Sequence, residues 1–200
     1  MDGRLLKISN LFLILICTAC TTRTIEDALT SDDFLRWSRD QQVSLEIFTG
    51  SGPDNAYSAW VGYYFIYDLR DLPNFRFNVT TILDKTKSYA SEINERTDLN
   101  RHKLFPTLYK LKFDHYEVYA RKFRKYLVEQ QSELRSDSEQ SLQLKMKEYY
   151  DEAELKWDEI MDEIERNDDY SEEHFRYLRS IIDLDLDELK DFGPSTNNYD

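Results

Sequence analysis

Tyr57-Ser58-Ala59-Trp60-Val61-Gly62-Tyr63-Tyr64-Phe65-Ile66-Tyr67-Asp68-Leu69-Arg70-Asp71-Leu72 is the stretch on which the reading of this 200-residue chain turns. At helical spacing, Tyr57, Trp60, Val61, Tyr64, Phe65 and Leu69 line one side, while Tyr63, Ile66 and Tyr67 crowd the other. A helix that is apolar on most sides is normally the central helix of a core, so the segment is expected to be helical and largely buried. The functional alternative is an aromatic groove in which Tyr57, Trp60 and Tyr64 hold a glycan strand or peptide, because tyrosine offers a stacking face and a polar tip. Gly62 interrupts the run, or permits close approach by a neighbour.

Glycine and proline are scarce on either side, and apolar residues recur at intervals of three and four. Ser31-Asp32-Asp33 reads as a helix start, followed by Phe34, Leu35, Leu45 and Phe48 on a broad apolar side. Thr49 to Asn55 ends that helix as a turn. Its two glycines lack the Lys-Ser/Thr ending of a phosphate loop. Phe75 to Val79 alternates like a short strand, yet Val79, Ile82, Leu83, Ala90 and Ile93 follow helical spacing, so Asn78 to Glu95 is predicted helical.

Pro106 suits a first helical turn, and Leu108, Leu111, Tyr119, Phe123, Leu127 and Leu134 mark a long stripe behind it. Ser136-Asp137-Ser138-Glu139 resembles a capping box, and it opens the cleanest stripe in the chain: Leu142, Met146, Tyr149, Ala153, Trp157, Ile160 and Ile164. Those two helices should form a hairpin. Ser171-Glu172-Glu173 starts a last helix with Leu178, Ile182, Leu186, Leu189 and Phe192 on its buried side, stopped by Gly193-Pro194. The expected fold is therefore all-α, a bundle of about five to six helices with a long antiparallel C-terminal helical hairpin. It forms a single domain over 31–194, with a loose tail over 195–200.

The first twenty residues carry a basic start at Arg4 and Lys7, a short apolar run from Leu11 to Ile16, and then Cys17-Thr18-Ala19-Cys20. The run is about half the length that crosses a hydrocarbon core as a helix, which argues for cleavage rather than a permanent span. The stretch resembles a bacterial lipoprotein export signal. Cys20, preceded by the small Ala19, matches the lipid-bearing cysteine, whereas Cys17 follows the bulky Ile16. The resemblance implies a signal peptide over 1–19, a tether over 20–30, and membrane attachment through acyl chains on Cys20, firmer than a single chain provides. Thr21 in place of Asp implies the outer membrane with the domain facing the periplasm, surface display being the alternative. With Cys17 removed and Cys20 acylated, no thiol is left for a disulfide, so packing must supply stability.

The chain carries a net charge of −13. That balance argues against nucleic-acid binding, which requires Lys and Arg to neutralise phosphates, and against adhesion to anionic headgroups. The charge is uneven: Arg101 to Ser136 has nine basic and four acidic residues, whereas Asp137 to Asp200 has seven basic and twenty-one acidic. Adjacent helices of opposite sign would attract one another. Alternatively, the acids, among them Asp158, Glu159, Asp162 and Glu163, form a face for a basic protein partner.

Catalytic signatures are missing. There is no His-Glu-x-x-His, no Gly-x-Ser-x-Gly and no cysteine pair after Cys20. His115 beside Tyr119 reads as a hydrogen-bonded boundary residue, and neither His102 nor His174 follows a glutamate by three positions. Asp183 to Glu188 fails as a calcium loop, because Glu188 stands where glycine is needed and Pro194 where the bidentate carboxylate belongs. No cofactor, metal or catalysis is expected. The reading is a lipid-anchored periplasmic protein-binding lipoprotein, an immunity or adaptor protein for a basic partner. The alternatives are a structural envelope lipoprotein or a peptidoglycan-binding one that uses the aromatic stretch with Asp68 and Asp71.

Overall fold

The computed structural model describes residues 32–53, 57–68, 76–90, 99–133 and 139–194. Three strands, β1 (Phe34–Arg36), β2 (Tyr57–Asp68) and β3 (Arg76–Ala90), form an antiparallel sheet in the order β1-β3-β2. Three helices follow: α1 (Leu99–Gln130), α2 (Glu139–Asn167) and α3 (Glu172–Glu188), with short 3-10 turns at Leu45–Ile47 and Lys190–Phe192. The all-α bundle of five to six helices is thereby corrected to a mixed fold with a sheet in its first half. The helices expected from Ser31 to Phe48, Tyr57 to Leu72 and Asn78 to Glu95 are β1 with a 3-10 turn, β2 and β3. The physical reason lies in side-chain type. β2 is built almost wholly of Tyr, Trp, Val, Phe and Ile, and β3 adds Thr, residues whose bulk near the backbone suits a pleated surface better than a helical turn.

Val61 opposite Leu83, Tyr63 opposite Thr81 and Phe65 opposite Val79 place one face of the sheet on α1. The ladder breaks between Ser58 and Trp60, where β3 runs from Tyr89 to Asp84 against a single residue, Ala59. Asp84 holds this bulge by accepting from the amides of Thr86 and Lys87 and from the Thr86 hydroxyl. The Ser88 hydroxyl donates to the Asp84 carbonyl and accepts from the amide of Trp60. The loop after the first 3-10 turn docks on the bulge, with the amide of Gly50 donating to the carbonyls of Lys85 and Ser88. A Cβ at Gly50 would lie 2.4 Å from the Thr86 carbonyl oxygen, so only glycine permits this approach.

The central helix is α1, and every residue from Phe113 to Arg121 is buried. The sheet covers one side. α2 returns antiparallel, bringing Ala153 to His115 and Tyr149 to Phe123. α3 then runs parallel to α1, bringing Arg179 to Asp114 and Leu186 to Arg121. The expected stripes are where the helices touch: Leu142, Ala153, Trp157 and Ile164 of α2 are buried, as are Phe175, Leu178, Ile182 and Leu186 of α3. Ser171 caps α3 by accepting from the amide of His174. Pro106 lies inside α1 rather than in its first turn, removing one donor from the helical ladder. Leu134 and the expected capping box at 136–138 lie outside the described residues, as do residues 1–31, including Cys20, and 195–200.

Candidate functional site

Among the described residues, the interior carries an unusual amount of charge, and its carboxylates and guanidiniums hold one another. Glu117, with 0 % exposure, accepts from the Thr81 hydroxyl at 2.6 Å, from Arg121 Nε at 3.1 Å and from Arg124 Nη1 at 2.8 Å. The two guanidiniums continue outward: Arg121 donates to the Leu186 carbonyl, and Arg124 to the carbonyls of Val79 and Phe192. One carboxylate thus ties β3, α1 and the chain after α3 together. Asp114 does the same a turn earlier, accepting from Trp37 Nε1 at 2.7 Å, from Lys110 Nζ at 2.6 Å and from Arg179. Buried ions need such partners, because desolvation otherwise exceeds any attraction they regain.

His115 sits between α1 and α2, with Nε2 3.0 Å from the Ala153 carbonyl; an acceptor there requires the proton on Nε2. Burial pushes its pKa down to about 4, and the ammonium groups of Lys122 and Lys112 add to the effect. Burial also lowers the pKa of Lys112, whose Nζ donates to the Ala59 carbonyl at 3.1 Å. The Tyr116 hydroxyl, raised by burial and by Glu154, donates to that carboxylate. These groups join elements rather than face a cleft, and they serve packing. Among the described residues, no three His, Cys, Asp or Glu side chains converge as metal ligands would.

The outer surface is charged differently. On α1, Lys125 and Glu129 form an exposed pair, whereas Lys110–Asp114 and Arg121–Glu117 belong to the interior. The lysines of α2 pair locally with Glu148, Asp151 and Glu159. α1 has eight basic and three acidic residues, α2 four and ten, and α3 two and six. The basic helix is at the centre and the two acidic helices are outside it.

α2 and α3 flank Tyr119, whose hydroxyl is raised to about 12 by burial and then by Glu152, Asp185 and Glu159. Beyond it the helices open into a groove of about 370 Å³. Lys122, Lys125, Tyr126 and Glu129 of α1 line it with Tyr149 of α2 and Asp185, Glu188 and Leu189 at the end of α3.

The acids singled out from sequence, Asp158, Glu159, Asp162 and Glu163, are all exposed on α2, and Lys156 reaches Glu159 at 2.8 Å. Of the aromatic candidates, Tyr57 and Trp60 do not share a face. Tyr57 turns toward α1, its ring stacked 4.2 Å from that of Phe105 and its hydroxyl 3.1 Å from His102 Nδ1. Trp60 takes the opposite face of the sheet, lies over Gly62, and carries the Lys87 ammonium 4.3 Å above its ring. Tyr64 stands opposite Thr80 in the ladder. A helix would have aligned Tyr57 with Trp60; the strand sends them to opposite faces.

One surface escaped the sequence reading. Tyr177, Ile181 and Leu184 of α3 are 62 %, 41 % and 70 % exposed and follow one another at i, i+4 and i+7. Their pattern is interleaved with the buried Phe175, Leu178, Ile182 and Leu186, so one stripe hid the other. The signal was present as an α3 that is apolar on two sides.

The class that fold and surface define is a small antiparallel sheet covering a basic central helix, with two acidic helices outermost. Comparison with protein-family models, with curated proteins and with solved structures finds no match to this chain.

Proposed function

We propose that this chain is a lipid-anchored binding protein of the bacterial envelope, without catalysis of its own, that presents its two acidic helices to a basic protein. The observation that carries the reading is the distribution of charge. The interior carboxylates, Glu117 and Asp114, are fully occupied by Arg121, Arg124, Lys110 and Arg179. On α2 and α3 the acids still outnumber the cations after Lys145, Lys147, Lys156 and Arg39 take their partners, and this excess faces solvent, where complementary charge accelerates encounter and selects partners. The lipobox-like residues through Cys20 support the location, since acylation there would hold the domain at a periplasmic leaflet. One concrete form is an immunity protein that masks a basic toxin.

Two measurements test the reading. Alkyne-palmitate labelling in a bacterial host should mark the wild-type chain and not Cys20→Ser; unlabelled full-length protein in the cytosol would overturn the anchor. The detergent-purified chain should retain a positively charged protein from envelope extract and release it as salt rises, since screening beyond roughly 10 Å at 0.1 M removes such attraction. Retention indifferent to salt would count against a charge-selected partner.

A further inference from the structure

From the exposed stripe on α3 we infer that the partner's docking element is a basic amphipathic helix, seated along Tyr177, Ile181 and Leu184. This rests on the binding function proposed above and names its surface. Residues at i, i+4 and i+7 lie one above another on a helix, which is the register a second helix reads with its own apolar seam. The stripe is not a misplaced core: Phe175, Leu178, Ile182 and Leu186 already bury the opposite side of α3 on α1. At its far end the stripe meets the groove, to which Asp185 and Glu188 both belong. There Tyr126, Tyr149 and Leu189, with Lys122, Lys125 and Glu129 at the rim, offer an apolar floor on which the partner helix can anchor one large apolar side chain.

Charge selects the occupant. Exposed Glu173, Asp185 and Glu188 border the stripe; of the other acids of α3, Asp183 and Asp187 are engaged by Arg39, and of its two bases Arg179 is held by Asp114 while Arg176 is exposed. A second copy would set this helix against an equally acidic one. An anionic bilayer would be repelled for the same reason. A helix with lysines or arginines flanking its apolar seam meets the carboxylates of Glu173, Asp185 and Glu188.

The probe is a fluorescent designed helix of about five turns, with leucines on one face and lysines elsewhere. Its controls are a scrambled peptide of the same composition and a version with glutamates for lysines. The full chain in detergent should bind the amphipathic basic helix at least roughly tenfold more tightly than either control. The exposed substitutions Ile181→Ala with Leu184→Ala should cost about tenfold without altering the circular dichroism spectrum, and Asp185→Asn with Glu188→Gln should flatten the salt dependence. Equal binding of the scrambled peptide would overturn the inference, as would Leu184-dependent dimerisation in sedimentation or Leu184-dependent adhesion to phosphatidylglycerol vesicles. Binding that ignores the α3 substitutions but falls with Asp158→Asn, Glu159→Gln, Asp162→Asn and Glu163→Gln would refute this surface and leave the broader reading standing. Absence of any salt-sensitive basic protein partner would remove that reading itself.

Discussion

Glu117 is the residue on which the interior depends. Its carboxylate accepts four hydrogen bonds, from Thr81, Arg121 and twice from Arg124, and is wholly buried. Glu117→Ala should cost about 3–5 kcal/mol in urea unfolding, because it strands two buried guanidiniums. Replacing all three residues with leucine or methionine should not restore wild-type stability. The carbonyls of Val79, Leu186 and Phe192 would then lose the donors that Arg121 and Arg124 now supply. His115 gives a pH dependence. Its folded pKa of about 4 lies below the ordinary 6.5, so the unfolded chain binds the proton first and stability falls as pH drops from 6.5 toward 4. The total comes to about 3 kcal/mol. His115→Gln, which keeps a donor for Ala153, should remove that part of the acid sensitivity in midpoints measured across the same interval.

At the scale of elements, two glycines separate backbone constraint from side-chain constraint. A Cβ at Gly50 meets carbonyl oxygens of Thr86 and Ser88, whereas one at Gly62 meets only the far edge of the Trp60 ring, 2.6 Å away. Gly50→Ala should therefore destabilise by about 1–3 kcal/mol through a shift of the β3 bulge, read as a lower midpoint in urea unfolding. Gly62→Ala should cost less and redden tryptophan fluorescence as Trp60 lifts off the sheet. The same sheet marks where sequence reading stopped. α1, α2 and α3 were legible because polar and apolar residues alternate at helical intervals, and Leu142 to Ile164 or Leu178 to Leu186 could satisfy no other period. β2 is apolar at nearly every position, which fits a buried helix and a strand alike. Its aromatic and β-branched content, and the Thr80-Thr81 and Val79 of β3, were the arbiters. The acidic face of α2 was legible as exposed helix. The α3 stripe was not, because two apolar patterns half a turn apart look like one broad face.

For the molecule as a whole, the order of events is written into who holds whom. Arg121 and Arg124, at the middle of the chain, complete their bonding only on the carbonyls of Leu186 and Phe192, near its end. A chain truncated after Glu188 should accordingly lose protease resistance and near-ultraviolet dichroism, although Phe192 itself is only half-buried. Under the export proposed above, such dependence is useful. Until residues 186–192 have emerged, Arg121 and Arg124 hold only Glu117 and Val79 and lack the last carbonyls that close the interior, which leaves the strand loose enough to pass through a translocation channel.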